Sequence, residues 1–290
     1  MLVGSIEAGG TKFVCAVGDD NYNIVDSKYF ITEKPSITLK KVIDYFKNFK
    51  IEALGIASFG PLELRQDHAK YGYITTSPKL DWRDTDLYGI LKAGLEVPIY
   101  LTTDVNGSTY GEYIMSRMTG EKINSLAYYT IGTGVGAGII NNGQFIGDLG
   151  HPEMGHVNVK RHPKDMAFAG TCPYHGDCLE GLVSGPTFEA RLGKRGETVP
   201  QTNFVWDIMA YYVAQALIQT TLMFRPGKIV LGGGVMNGEF LKKIKQQFVK
   251  LLNGYVSTPA IDNYIVMPLI KHNGSATIGD FALALTKVAI

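Results

Sequence analysis

The chain has 290 residues, 45% of them apolar and 34 of them glycine, with a formal charge of +1. That length accommodates two moderate domains or one large one, and that composition supplies a core together with many tight turns. No run of basic residues exceeds two and no apolar segment approaches eighteen, so neither a nucleic-acid face nor a membrane span is expected.

Leu2–Ala8 is a β-prone run broken by Gly9-Gly10. Glu7 and Lys12 interrupt the apolar stretch of the first eighteen residues, so it does not read as a signal peptide. Phe13–Val17 and Ile24–Thr32 follow as strands. Ser36 offers an N-cap for a helix through Lys50, with Leu39, Val42, Ile43, Phe46 and Phe49 at helical spacing. Leu54–Phe59 reads as a buried strand ending at Gly60-Pro61, and 62–82 as irregular. Asp84 caps a predicted helix through Leu95, Ile99–Thr103 is a strand, and a helix runs from Asn106 to Met118. From Ser125 the pattern restarts, with strands Leu126–Ile131 and Val135–Ile140 around a Gly132/Gly134 turn. There follow a helix over about 202–224, the strand Lys228–Leu231 with Gly232-Gly233-Gly234 after it, and a helix from about Glu239 to Leu252. A strand Tyr264–Pro268 and a last helix from about Ser275 complete the chain.

The stretches GSIEAGGTKFVCAVGDDN and AYYTIGTGVGAGIINNG match each other: strand, Gly/Thr turn, strand, Asp/Asn/Gly turn. A separation of about 125 residues is far too long for a solenoid repeat and points to two domains of related topology. Strand–helix alternation makes the class α/β. Glycine turns let backbone N–H groups approach an anion. Neither standard phosphate loop explains these. In Gly4–Thr11, Gly10 stands where a Walker A lysine belongs, and Ala137 replaces the third glycine of a dinucleotide fingerprint.

A duplicated domain with a Gly-Gly-Thr-Lys turn, an Ile-Gly-Thr-Gly turn and a Gly-Gly-Gly strand end resembles the actin-like ATPase and sugar-kinase superfamily. Within it the chain is similar to the ROK family (repressors, uncharacterised frames and sugar kinases). Glu7-Ala8 in place of the usual Asp-Gly looks like the fructokinase branch. The resemblance implies two actin-like (ribonuclease H-like) domains with a cleft between them. They are expected at 1–115 and 116–290, with the final helix, about 276–290, returning to the first. It implies ATP and Mg²⁺ as cofactors and phosphorylation of a hexose, D-fructose first, with glucose or an N-acetylhexosamine as alternatives. By the same resemblance Gly9, Gly10, Thr11, Lys12, Thr133 and Gly134 contact phosphates. Pro186, Gly233, Gly234, Val235, Met236 and Asn237 lie around the adenosine. A family repressor carries an N-terminal helix-turn-helix, for which a first strand at Leu2 leaves no room. A homodimer is expected.

Phosphoryl transfer to an alcohol needs a group that accepts the hydroxyl proton. Asp104, closing the strand Ile99–Thr103, is the candidate; the plainer reading, a cap for the helix near Asn106, is compatible with it. Its presence argues against a sugar-binding relative without chemistry. Asn106, Gly60, Glu153, His156 and Glu180 are candidate sugar contacts, carboxylates being good acceptors for hydroxyls. Lys79 and Trp82 are placed near substrate by a segment resembling the fructokinases, although Trp82 also suits a core. His156, Cys172, His175 and Cys178 (H-x15-C-x-x-H-x-x-C) form a closed set for a structural Zn²⁺ holding the loop 156–178, with His151 and His162 as alternates. Cys15 reads as a small core residue.

Overall fold

The computed structural model describes residues 1–271 and 274–288. The chain packs as two units: residues 1–121 with 145–151 and the segment from Ile270, and residues 122–144 with 152–269.

In the first unit β1 (Leu2–Ala8) pairs antiparallel with β2 (Lys12–Asp19), and β2 with β3 (Ile24–Ile31). Helix α1 (Pro35–Phe46) leads to β4 (Ala53–Ser58), which runs parallel to β1 with Glu7 opposite Ala57. A two-stranded ribbon, β5 (Tyr73–Ile74) and β6 (Thr85–Asp86), precedes α2 (Leu87–Leu95). The edge strand β7 (Ile99–Thr103) then feeds α3 (Asp104–Met118). Strand order is β3-β2-β1-β4-β7.

The second unit repeats that plan. Its hairpin is β8 (Ser125–Ile131) and β9 (Val135–Asn141), with β10 (Gln144–Phe145) outside it. Helices α4 (Leu179–Val183), α5 (Pro186–Leu192) and α6 (Phe204–Phe224) precede β11 (Lys228–Gly232). Next come α7 (Gly238–Leu252), α8 (Ile261–Tyr264) and β12 (Ile265–Val266). Order β10-β9-β8-β11-β12 matches the first sheet position for position, with an antiparallel hairpin on one side and parallel strands on the other. The last helix, α9 (Ser275–Val288), packs on α3, β1 and β4 of the first unit.

Alternation along β1 covers both faces of the first sheet. Ile6 and Ala8 join Phe13, Cys15, Leu39, Val42 and Phe46 on one side, whereas Val3 and Ala16 meet Ile278 and Phe281 of α9 on the other. A fully buried side chain of this size contributes about 1.5–3 kcal/mol, so α9 is held by its apolar face. Cys15 is fully buried, as expected of a core thiol.

Several boundaries differ from the sequence reading. Helix α1 starts two residues early because Pro35 takes its first turn with Lys34 rather than Ser36 as cap, and it ends at Phe46 rather than Lys50. Asp86, not Asp84, caps α2, accepting from the Gly89 N–H at 2.7 Å, while Asp84 sits at φ 55°. Residues 261–264 are helical, leaving β12 only two residues long. Helices α4 and α5 lack an apolar period long enough to read.

Candidate active site

The turn between β1 and β2 closes through the Gly9 N–H donating to the Lys12 carbonyl at 2.9 Å. A side chain at Gly9 would lie 2.7 Å from that carbonyl oxygen, so glycine is required. Thr32 braces the turn from β3: its Oγ1 donates to Gly9 O at 2.7 Å and its N–H to Thr11 O at 2.9 Å. Lys79 Nζ donates to Gly10 O at 2.6 Å. Trp82 is core: it is fully buried, donates from Nε1 to Glu33 O at 2.8 Å, and packs on Phe13 and Phe59. Gly60 follows β4 and forms a cis peptide with Pro61.

Asp104 is the first residue of α3, and Thr103 is the cap, its Oγ1 accepting from the Asn106 N–H at 3.3 Å. The plain capping role thus falls one residue earlier. Asp104 Oδ1 accepts from the Val105 N–H at 2.8 Å, which orients the carboxylate. His151 Nδ1 lies 2.9 Å from Thr103 Oγ1, well away from a metal-ligand role. Asn106 is buried with Oδ1 unpaired, and it lines a cavity of ≈160 Å³ with Tyr71, Tyr100, Thr102, Asp148 and Lys287. Asp104 is not among that cavity's walls, since two residues along a helix diverge by about 200°.

Two acids of the first unit escaped the sequence reading as functional groups. Glu7, at the end of β1, is pushed up to about 7, first by burial and then by the charge of Asp104, with Lys12 opposing. Asp280 of α9 is fully buried, and desolvation raises its carboxyl well above the usual range. Ser5 Oγ donates to its Oδ2 at 3.0 Å. An Asp inside an otherwise apolar helix face was the available signal.

In the second unit a cavity of ≈730 Å³ is lined by Gly132, Thr133, Pro186, Gly234, Val235 and Asn237, six residues from the expected phosphate and adenosine segments. Phe188, Val199 and Trp206 add an apolar wall, while Arg195, Glu189 and Gln201 add polar groups. These residues come from 188–206, a stretch with no motif to mark it. Gly134, Gly233 and Met236 are not on its walls. Asn237 caps α7, accepting from the Phe240 N–H at 3.0 Å.

His156, Cys172, His175 and Cys178 place their ligand atoms within 4.8 Å of one another. Cys172 Sγ lies 3.7 Å from both His156 Nδ1 and His175 Nδ1, and Cys178 Sγ lies 3.5 Å from His156 Nδ1. A tetrahedral ion with Zn–S of about 2.3 Å and Zn–N of about 2.0–2.1 Å sets sulfur–nitrogen edges near 3.6 Å, so the set fits zinc. Burial pushes the Cys178 thiol up to about 11, a cost that a cation removes. His162 Nδ1 instead accepts from the Lys164 N–H at 3.2 Å, and its ring packs on Tyr211. Glu153 is exposed, and Glu180 Oε2 accepts from the Val135 N–H at 2.9 Å.

Two units of one repeated sheet plan, each with a glycine turn after its first strand, define an actin-like α/β protein. A ROK hexokinase from Thermus thermophilus shares this fold, with a TM-score of 0.79 at 21% identity over 100% of this chain and 99% of that one. The ROK family profile matches residues 3–287, and the chain belongs to the ROK family. It is 51% identical over 288 residues to a fructokinase of Streptococcus mutans, covering 98% of this chain and 97% of that one. Against a fructokinase of Lactococcus lactis subsp. cremoris it is 49% identical over 283 residues, covering 97% and 96%. Among the described residues no helix is long and apolar enough to cross a membrane.

Proposed function

We propose that the protein is an ATP-dependent sugar kinase that transfers the terminal phosphoryl group of ATP to D-fructose, giving fructose 6-phosphate. The observation that carries this reading is identity near one half with two fructokinases along almost the whole chain. Asp104, oriented by the Val105 N–H, accepts the proton of the attacking hydroxyl. Glu153, His156 and Glu180, joined by Asn106 and Gly60, orient the sugar.

Gly9, Gly10, Thr11, Lys12, Thr133 and Gly134 hold the phosphates. Gly234, Val235, Asn237 and Pro186 surround the adenosine, with Gly233 and Met236 beside them in the chain. A Cβ on Gly10 or Gly234 would meet nothing within 4 Å, and neither has positive φ. Glycine there answers to a close ligand rather than to the protein. When bound, Mg²⁺ neutralises phosphate charge. Glu7 and Asp104, two carboxylates whose charges oppose each other, suit such a cation. The Cys/His set holds zinc as a structural ion, since four protein ligands leave no open position. A cytoplasmic homodimer completes the reading.

Coupled ADP release measured over fructose, glucose, mannose and N-acetylated hexosamines tests it. Fructose is expected to give the highest kcat/KM; no turnover with any hexose overturns the proposal, and a higher value for glucose overturns the substrate.

A further inference from the structure

The Cys/His cluster and the second glycine turn meet at one residue. Val135 opens β9 directly after Thr133-Gly134. Its N–H donates to Glu180 Oε2 at 2.9 Å, and Glu180 stands two residues beyond Cys178. Its carbonyl faces Gly155, the neighbour of His156, so closely that a Cβ on Gly155 would lie 1.8 Å from the Val135 oxygen. The same Glu180 oxygen would lie 2.6 Å from a Cβ on Gly134. The two sides of the loop are tied by the Leu179 N–H donating to Val157 O at 3.0 Å. Residues within two positions of the ligands His156 and Cys178 therefore hold Val135 at both of its polar groups, one by a hydrogen bond and one by close packing.

We infer that zinc in the Cys/His cluster governs nucleotide binding: through Glu180 and Gly155 it clamps Val135 and so sets the phosphate-binding turn Gly132–Val135. Glu180 acts as a positioning residue for the nucleotide, beyond any contact with sugar. This rests on the kinase reading above. A ligand set that shapes only the sugar site has no need to hold the Val135 amide. A closed four-ligand ion is suited to the task because it fixes His156 and Cys178 relative to each other, and with them both jaws of the clamp.

The test is binding of MgADP without sugar, by calorimetry, with zinc content measured on the same samples. Relative to zinc-loaded wild type, chelator-stripped protein with Mg²⁺ restored is expected to bind MgADP about 5- to 20-fold more weakly, an ordinary size for coupled sites. Glu180→Ala is expected to weaken binding about as much while keeping its zinc. Glu180→Gln is expected to recover it, because the amide oxygen still accepts from Val135 N–H. Stripping Glu180→Ala adds little, since both changes release one clamp. Unchanged affinity on stripping, effects that multiply in full, or a Gln variant as weak as a zinc-free sample overturns the clamp while leaving the kinase reading intact. If Glu180→Ala loses its fold, the stripped wild type and the Gln variant decide on the same criteria. Failure of zinc-loaded wild type to bind MgADP at all overturns both.

Discussion

Asp104, the proposed base, opens α3, and Thr103 takes the capping work. Asp104→Asn keeps the shape and the Val105 contact but cannot take a proton. Its kcat is expected to fall about 10²- to 10⁴-fold with melting temperature and sugar affinity near wild type. Steady-state kinetics retaining a tenth of the rate or more would remove Asp104 from that role. Glu7 gives a second test through its raised carboxyl, at about 7 in the folded protein. An acid whose folded pKa is raised holds its proton more tightly in the native state, so stability is unaffected below the unfolded pKa. It is lost as pH rises from about 4.5 to about 7, by at most about 3 kcal/mol. Glu7→Gln removes the charge, so nucleotide-free variant is expected to melt higher than wild type at pH 8 and alike at pH 4. A difference of equal size at both pH values would refute the linkage.

At the scale of elements, the Cys/His loop is anchored by a buried ion pair. Arg191 of α5 donates from Nε to Asp165 Oδ1 at 3.0 Å and from Nη2 to Oδ2 at 2.8 Å, with side chains only 5% and 6% exposed. Tyr212 of α6 donates to Asp165 Oδ2 at 2.9 Å, and the Arg191 guanidinium lies 3.9 Å from the Phe168 ring centroid. Arg161 adds Asp177 at 2.7 Å and the carbonyls of Asp165 and Phe168. Removing one partner strands a buried charge, so Asp165→Ala is expected to cost about 3–5 kcal/mol, Asp165→Asn less. Urea unfolding of the zinc-loaded proteins measures it; a loss below about 1 kcal/mol would show that α5 is held by its apolar contacts alone.

For the whole molecule, each of the two copies of one sheet plan carries a glycine turn after its first strand. The proposed divalent ion on the phosphates and the proposed structural ion in the loop would leave separable signatures. Chelation is expected to abolish turnover. Mg²⁺ alone restores it partly, and Mg²⁺ with Zn²⁺ restores it fully, as read by ADP release and melting temperature. Full activity with ATP in excess chelator would refute the Mg²⁺ requirement. Zn²⁺ that changes neither readout would refute the structural ion.

The repeated strands, the turns at Gly9–Lys12 and Gly132–Val135, and the set His156, Cys172, His175 and Cys178 were legible in the chain because each is local. Alternation marks a strand, glycine marks a turn, and thiol and imidazole spacing marks a metal loop. Asp104 was legible as a candidate base, but its neighbours were not. Thr103 as cap and Asp86 in place of Asp84 were decided by backbone angles that several adjacent polar residues satisfy equally well on paper. The cavity wall Phe188, Val199 and Trp206, the Ser5–Asp280 contact across 275 positions and the Glu180–Val135 bond across 45 came only from the tertiary structure. Each depends on which distant segments the packed sheets bring together, and a carboxylate in a sequence does not say which amide it will meet.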